Sequence, residues 1–206
     1  MTIGAILAVA QIMQMAPSQP NWSMGTPRPR PPIITGKPFH AHFETTSQSI
    51  SGEGSDIRHT SGEIYRNAKG DVRVEYDSGS PTATVAMIQV GGPGAIFQPM
   101  SRVIVWIPES PQAVARSEWH FTHSSPYYSA VYKDIQGLRC RRIDFRDPGS
   151  GSAAGEAWIS EAMGIVMRDQ GFADGVAFDW NVTNLTFGDP SPGLFAIPSD
   201  YRVVEP

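Results

Sequence analysis

From Gly155 onward the chain reads as short strands punctuated by turns. Gly155-Glu-Ala-Trp-Ile-Ser160 is followed by Gly164-Ile-Val-Met-Arg168 and then by Val176-Ala-Phe-Asp-Trp-Asn-Val-Thr-Asn-Leu-Thr-Phe187. A proline-bracketed tail, Asp189 to Val204, closes the series. Strands joined by turns this short pair antiparallel, because a parallel pair needs a long crossover. The longest strand slips in its alternation. Val176, Phe178, Trp180 and Val182 share one face, but past Asn184 the apolar positions become Leu185 and Phe187. A one-residue slip turns every later side chain over, so a β-bulge or bend is expected near Thr183 and Asn184.

The middle of the chain has the same grain. Phe39, Ala41 and Phe43 alternate with His40, His42 and Glu44. Ile64-Tyr-Arg66 meets Val72-Arg-Val-Glu-Tyr76 across a turn in which Gly70 can take positive φ; Val72, Val74 and Tyr76 face inward, Arg73 and Glu75 outward. Thr84–Val90, Arg102–Ile107, Trp119–His123, Ala130–Tyr132 and Leu138–Phe145 are further strands, with Gly91-Gly-Pro-Gly94 a loop. Ser110 as N-cap and Pro111 at the first helical position mark one short helix. Charged residues make up 17% of the chain, against about 25% in an ordinary soluble domain. Glycine and proline fill the gap, as many short strands require. The fold class is mainly β: a curved antiparallel sheet or half-open β-barrel of nine or ten strands with about one short helix.

The organisation reads in three parts. Residues 1–16 carry an apolar run from Ile3 to Met15, too short to span a bilayer and of the length of a signal-peptide core. No basic residue precedes it and Gln11 and Gln14 interrupt it, so an N-terminal segment packed on the domain is the competing reading. Residues 17–38 hold seven prolines and read as an extended linker. Residues 39–206 form a single β domain. Nothing else could cross a membrane; with the apolar run read as a leader, the chain is expected in the periplasm or outside the cell.

Catalytic signatures are missing from the pattern. A net charge of −4 without a basic run argues against nucleic acid as partner. The lone cysteine, Cys140, reads as a core thiol. His40, His42 and Glu44 point one way from a strand and could meet on a metal, but a half-buried strand needs a polar face in any case. No G-x-S-x-G elbow occurs, and Gly91–Gly94 lacks the ending of a phosphate loop. No metal, no cofactor and no catalysis are expected. The aromatic strand residues Trp106, Trp158, Phe178 and Trp180 are the candidate lining of an apolar binding site, with plain core as the alternative.

Several stretches carry a family resemblance. Gly155-Glu-Ala-Trp-Ile-Ser160, Gly164-Ile-Val166, Thr183-Asn-Leu185 and the tail from Asp189 to Val203 resemble a family of uncharacterised exported bacterial proteins, as does Ile64–Arg73. More distantly, the strand order and the Leu194-Phe-Ala-Ile-Pro198 ending resemble the lipoprotein-carrier group, whose half-open barrel cradles acyl chains. That likeness implies an envelope protein holding a lipid or lipoprotein on a concave sheet. An envelope protein-interaction or sensor module is the second expectation, and a metal-dependent enzyme the third.

Overall fold

The computed structural model describes residues 34–49, 57–77, 83–90, 94–107, 125–146, 153–173 and 176–204. The expected leader, most of the linker, the Ser110 helix and the Trp119–His123 strand lie outside the described residues.

The described chain forms one open sheet. The strands are β1 (Phe39–Ser49), β2 (Ile57–Arg66), β3 (Val72–Tyr76), β4 (Thr84–Ile88), β5 (Gly94–Gln98), β6 (Val103–Ile107), β7 (Ser125–Ile135), β8 (Leu138–Arg146), β9 (Ala153–Ser160), β10 (Ile165–Ala173), β11 (Val176–Phe187) and β12 (Arg202–Val203). Their order across the sheet is β12-β6-β5-β4-β3-β2-β1-β11-β10-β9-β8-β7. Two runs of hairpins therefore meet where β1 pairs with β11. Only the two-residue β12 runs parallel to its neighbour, β6. Apart from one 3-10 turn, Pro192–Phe195, the described residues hold no helix.

The expected slip in β11 is a bulge. Phe39 to His42 pair with Phe187 to Asn184, and Phe43 then pairs with Val182, leaving Thr183 as the extra residue. Phe178, Trp180, Val182, Leu185 and Phe187 thereby all stay on the face shared with Phe39, Ala41 and Phe43. The bulge corrects the slip rather than exposing half the strand.

One face of the sheet is lined by Phe39, Ala41, Phe43, Ile64, Val72, Val74, Ile143, Phe145, Ala157, Ile159, Trp180 and Val182, all buried and packed in one cluster. We take this larger apolar face as the concave face of the curved sheet. One end of it is shut by Arg66, itself buried, whose guanidinium lies 4.6 Å over the Phe39 ring. Arg66 Nε and Nη2 donate to the Lys37 carbonyl at 3.1 and 3.0 Å, and Nη2 also donates to Met163 O at 2.6 Å. Lys37 Nζ donates to Ala162 O from the same segment. The β9–β10 turn is thus tied across the face to the chain entering β1.

The opposite face has its own core under β4–β6. Val85, Met87, Ala95, Phe97 and Ile104 are covered by Phe195, Leu194, Ile197 and Tyr201 of the tail. Arg73 Nη1 donates to Leu194 O at 2.8 Å and Gln89 Nε2 to Phe195 O at 2.9 Å, pinning the 3-10 turn in place. The prolines that bracket the tail keep it from continuing as helix or strand interior, so it can lie flat as a cover.

Strand β5 was hidden in the sequence: after the glycine loop, Gly94 to Phe97 is too short and too uniformly apolar to show alternation, because both its faces are buried.

Candidate functional site

The four aromatics expected to line one site do not meet on one face. Trp180 and Phe178 are on the concave face, opposite Thr45 and Ser47 of β1. Trp106 pairs with Ala95, on the face covered by the tail, and packs half-buried in that second core. Trp158 pairs with Arg142 and Arg168, whereas its neighbour Ala157 pairs with Asp169 and Ile143 on the concave face. Trp158 therefore lies on the other face of the sheet, where it is buried, 8% exposed, and packs in the main core cluster. Its Nε1 donates to Glu156 Oε1 at 3.1 Å, and Lys133 Nζ stands 5.5 Å over the ring. Alternation within one strand was legible from sequence; which faces of distant strands coincide needed the pairing register.

Trp180, 4% exposed, is embedded in the concave core. Its ring stacks on Phe43 with centroids 5.8 Å apart, and Phe43 meets Tyr76 edge-on at 5.5 Å. Phe178 is the next concave position outward on β11 and is half-buried. It pairs with Gly171, which pairs in turn with Gly155. A Cβ on Gly171 would come within 3.1 Å of the Phe178 ring tip, so the ring lies on bare backbone. Phe43 uses Gly62 in the same way, with its ring edge 2.6 Å from where a Cβ would sit. Beyond Phe178 the face turns polar through the half-buried Thr45, Ser47 and Thr60.

Sequence reasoning missed one residue here. Asp169 pairs with Trp180 on one side and Ala157 on the other, so its carboxylate belongs to the concave face. It is 1% exposed, and neither oxygen has a hydrogen-bond partner. Burial, and secondarily the charge of Asp179, push its pKa up to about 7. A buried polar group without a partner is expensive, and native structures rarely tolerate one without a reason. The signal that could have found it was an acidic residue at an inward position of a strand, in Met167-Arg-Asp-Gln170.

The histidine face is arranged otherwise than expected. Glu44 pairs with Ser61 and Asn181, and it is Glu63 of β2 that meets both imidazoles. Its two oxygens lie 2.6 Å from His40 Nε2 and 2.7 Å from His42 Nδ1. Tyr65 stacks on His40 at 4.5 Å. Among the described residues, no group of three or more His, Cys, Asp or Glu is placed to hold a metal ion. Cys140 is fully buried, and burial raises its thiol pKa to about 11, the reverse of a reactive cysteine.

A second surface stands out at β7, the last strand of the sheet among the described residues. Tyr128 and Tyr132 of β7 are 51% and 44% exposed, and the guanidiniums of Arg141 and Arg139 lie over their rings at 5.3 and 4.4 Å.

These features define an open, curved antiparallel half-barrel with an apolar inner face. No protein-family model matches the sequence, and no curated protein sequence matches it either. Among solved structures it is similar in fold to an uncharacterized conserved protein from Thermus thermophilus, with TM-score 0.50 and 16% identity over 81% of this chain and 91% of that one. It also aligns with MucB in the MucA/MucB complex of Pseudomonas aeruginosa, at TM-score 0.49 and 13% identity over 82% of this chain and 58% of that one. A LolA superfamily protein from Nitrosomonas europaea aligns at TM-score 0.38 and 6% identity over 80% of this chain and 92% of that one. These last two likenesses are too loose to carry an inference about this chain. The first shows the fold alone.

Proposed function

We propose that this is a non-catalytic, exported envelope protein that binds an apolar or amphipathic molecule on its concave face. One observation carries the reading: between Trp180 and Ala157, in the apolar part of the inner face, Asp169 is buried with neither carboxylate oxygen partnered. Ligand sites are built in this way, as apolar walls with a few placed polar groups, whereas a plain core avoids such a group. The residues that bind are then Phe178 and Trp180 with Asp169, in place of the Trp106 and Trp158 expected from sequence. Export is supported by the Ile3–Met15 apolar run, and a lack of catalysis by the inert setting of Cys140. Native mass spectrometry of protein taken from its own envelope tests the reading. A retained small molecule, lost on unfolding, is expected. Protein that emerges only at its bare mass and never quenches Trp180 with any acyl-chain probe removes the reading.

The edge hairpin supports a second reading, as a protein-interaction module. Exposed tyrosines held by arginines are the residue types that dominate binding hot spots, and their cationic backing suits a partner presenting acidic residues. Loss of an envelope partner from Tyr128→Ala/Tyr132→Ala protein, with the fold intact, is the expected result. Unchanged partner capture by that variant would dismiss it.

A further inference from the structure

We propose that Asp169 anchors the amine head of a cationic amphiphile, a primary alkylammonium carried on one long chain, inside the concave face. The inference rests on the reading above and names the chemistry of its ligand. Both Asp169 oxygens are acceptors with no donor among the described residues. Its concave-face neighbours across the two pairings, Trp180 and Ala157, offer no cation, and the next position out on each strand is Phe178, Gly171 or Gly155. Arg168, next to it in β10, pairs with Asn181 on the other face; its Nη2 donates to Asp179 at 3.2 Å and its Nε is buried without a partner there. On the face of Asp169 the described residues thus supply an acceptor and bring it no donor.

A route to the carboxylate is built into the adjoining glycines. Gly171 and Gly155 pair with each other next to Asp169 and put no side chain beside it, and the tip of the half-buried Phe178 ring lies 3.1 Å from where a Cβ on Gly171 would sit. Phe178 is therefore the side chain that must turn for an alkyl chain to run outward from the carboxylate past Gly171. An ammonium there would gain three donors' worth of contact with two free acceptors, and the alkyl chain would lie on the Phe178–Trp180 surface. A carboxylate head would meet like charge in the same apolar setting, where such repulsion is poorly screened. Burial already disfavours the ionised form of Asp169. A bound ammonium reverses that preference, so binding draws a proton off the protein.

The test uses the full chain at about pH 8, with dodecylammonium, dodecanol and dodecanoate as probes below their micelle concentrations. Trp180 fluorescence and calorimetry read the binding. Dodecylammonium is expected to bind one-to-one and about tenfold or more tighter than dodecanoate. Asp169→Asn should erase that preference while leaving dodecanol within about threefold of its wild-type affinity. Phe178→Ala, which keeps the carboxylate, should speed association of the amine. Should Asp169→Asn fail to fold, the wild-type ranking of the three heads and the Phe178→Ala rates still decide. Equal binding of all three heads overturns the amine anchor and leaves the concave-face reading standing. No saturable binding of any probe overturns both.

Discussion

The side chain of Gln136 stands in for a missing strand partner of Leu185. Pairing between β10 and β11 ends at Arg168 and Asn181, so the outer edge of β11 beyond that point has no neighbour in the ladder. Gln136, at the tip of the β7–β8 hairpin, accepts from Leu185 N at 3.0 Å and donates to Val182 O at 2.5 Å. Both backbone groups flank the Thr183 bulge. The hairpin tip and the bulge therefore hold each other in place.

Gln136→Ala is expected to strip a carbonyl and an amide at the bulge of their partners, at a cost of about 1–3 kcal/mol. Urea unfolding measures the loss. Gln136→Glu keeps the acceptor for Leu185 and removes the donor to Val182, so it should fall between. Equal stability of wild type and Gln136→Ala would mean that water serves the bulge as well.

Asp169 gives the fold a pH dependence of definite sign. The unfolded chain releases this proton near the ordinary aspartate value of about 4, whereas the folded chain holds it until about pH 7. Between those values the folded state carries a proton that the unfolded state has lost. Stability therefore falls as pH rises from about 4 to 7, then levels off. Three pKa units amount to about 4 kcal/mol as an upper limit. Asp169→Asn should match wild type near pH 4 and exceed it above pH 7, by melts across that range. A variant less stable than wild type at pH 8 would show that the carboxylate is satisfied there.

Arg66 should be costly to remove, because its guanidinium serves two backbone carbonyls from a buried position. Arg66→Ala takes donors away from the Lys37 and Met163 carbonyls, for an expected loss of about 2–4 kcal/mol. Arg66→Lys should restore only part, since one ammonium cannot reproduce the fork that reaches both carbonyls. Hydrogen exchange should quicken first at the β9–β10 turn.

His40→Ala together with His42→Ala should cost no more than about 1 kcal/mol, because both imidazoles are at the surface and share one carboxylate. Added zinc should leave the melting temperature of wild type and variant alike. A zinc-dependent rise confined to wild type would revive the metal reading.

Much of the fold was legible in the chain, and for identifiable reasons. Alternation indicated the faces of β1, β3 and β11, and the slip past Asn184 placed a bulge near Thr183 and Asn184, where the pairing leaves Thr183 extra. The strand count fell short where periodicity vanishes, as at Gly94–Gln98, buried on both faces. Strand β2 ran longer than Ile64–Arg66, since Ile57–Thr60 shows no apolar alternation and is held by pairing with β1 instead. The site was less legible. Trp158 and Trp180 look alike in sequence and both are buried, and only the β9–β10–β11 register puts them on opposite faces of the sheet. Asp169 had no pattern to announce it, because an inward carboxylate is a departure from the pattern.

The tail also makes the two margins of the sheet unlike. By laying β12 beside Val103 and Ile104 of β6 and Phe195 over the neighbouring strands, it ends one side in a two-residue parallel strand. The other side ends, among the described residues, in β7, an eleven-residue strand hydrogen-bonded to β8 alone and interrupted in register between Tyr128 and Tyr132. The sheet thus has a capped short side and a long bare one.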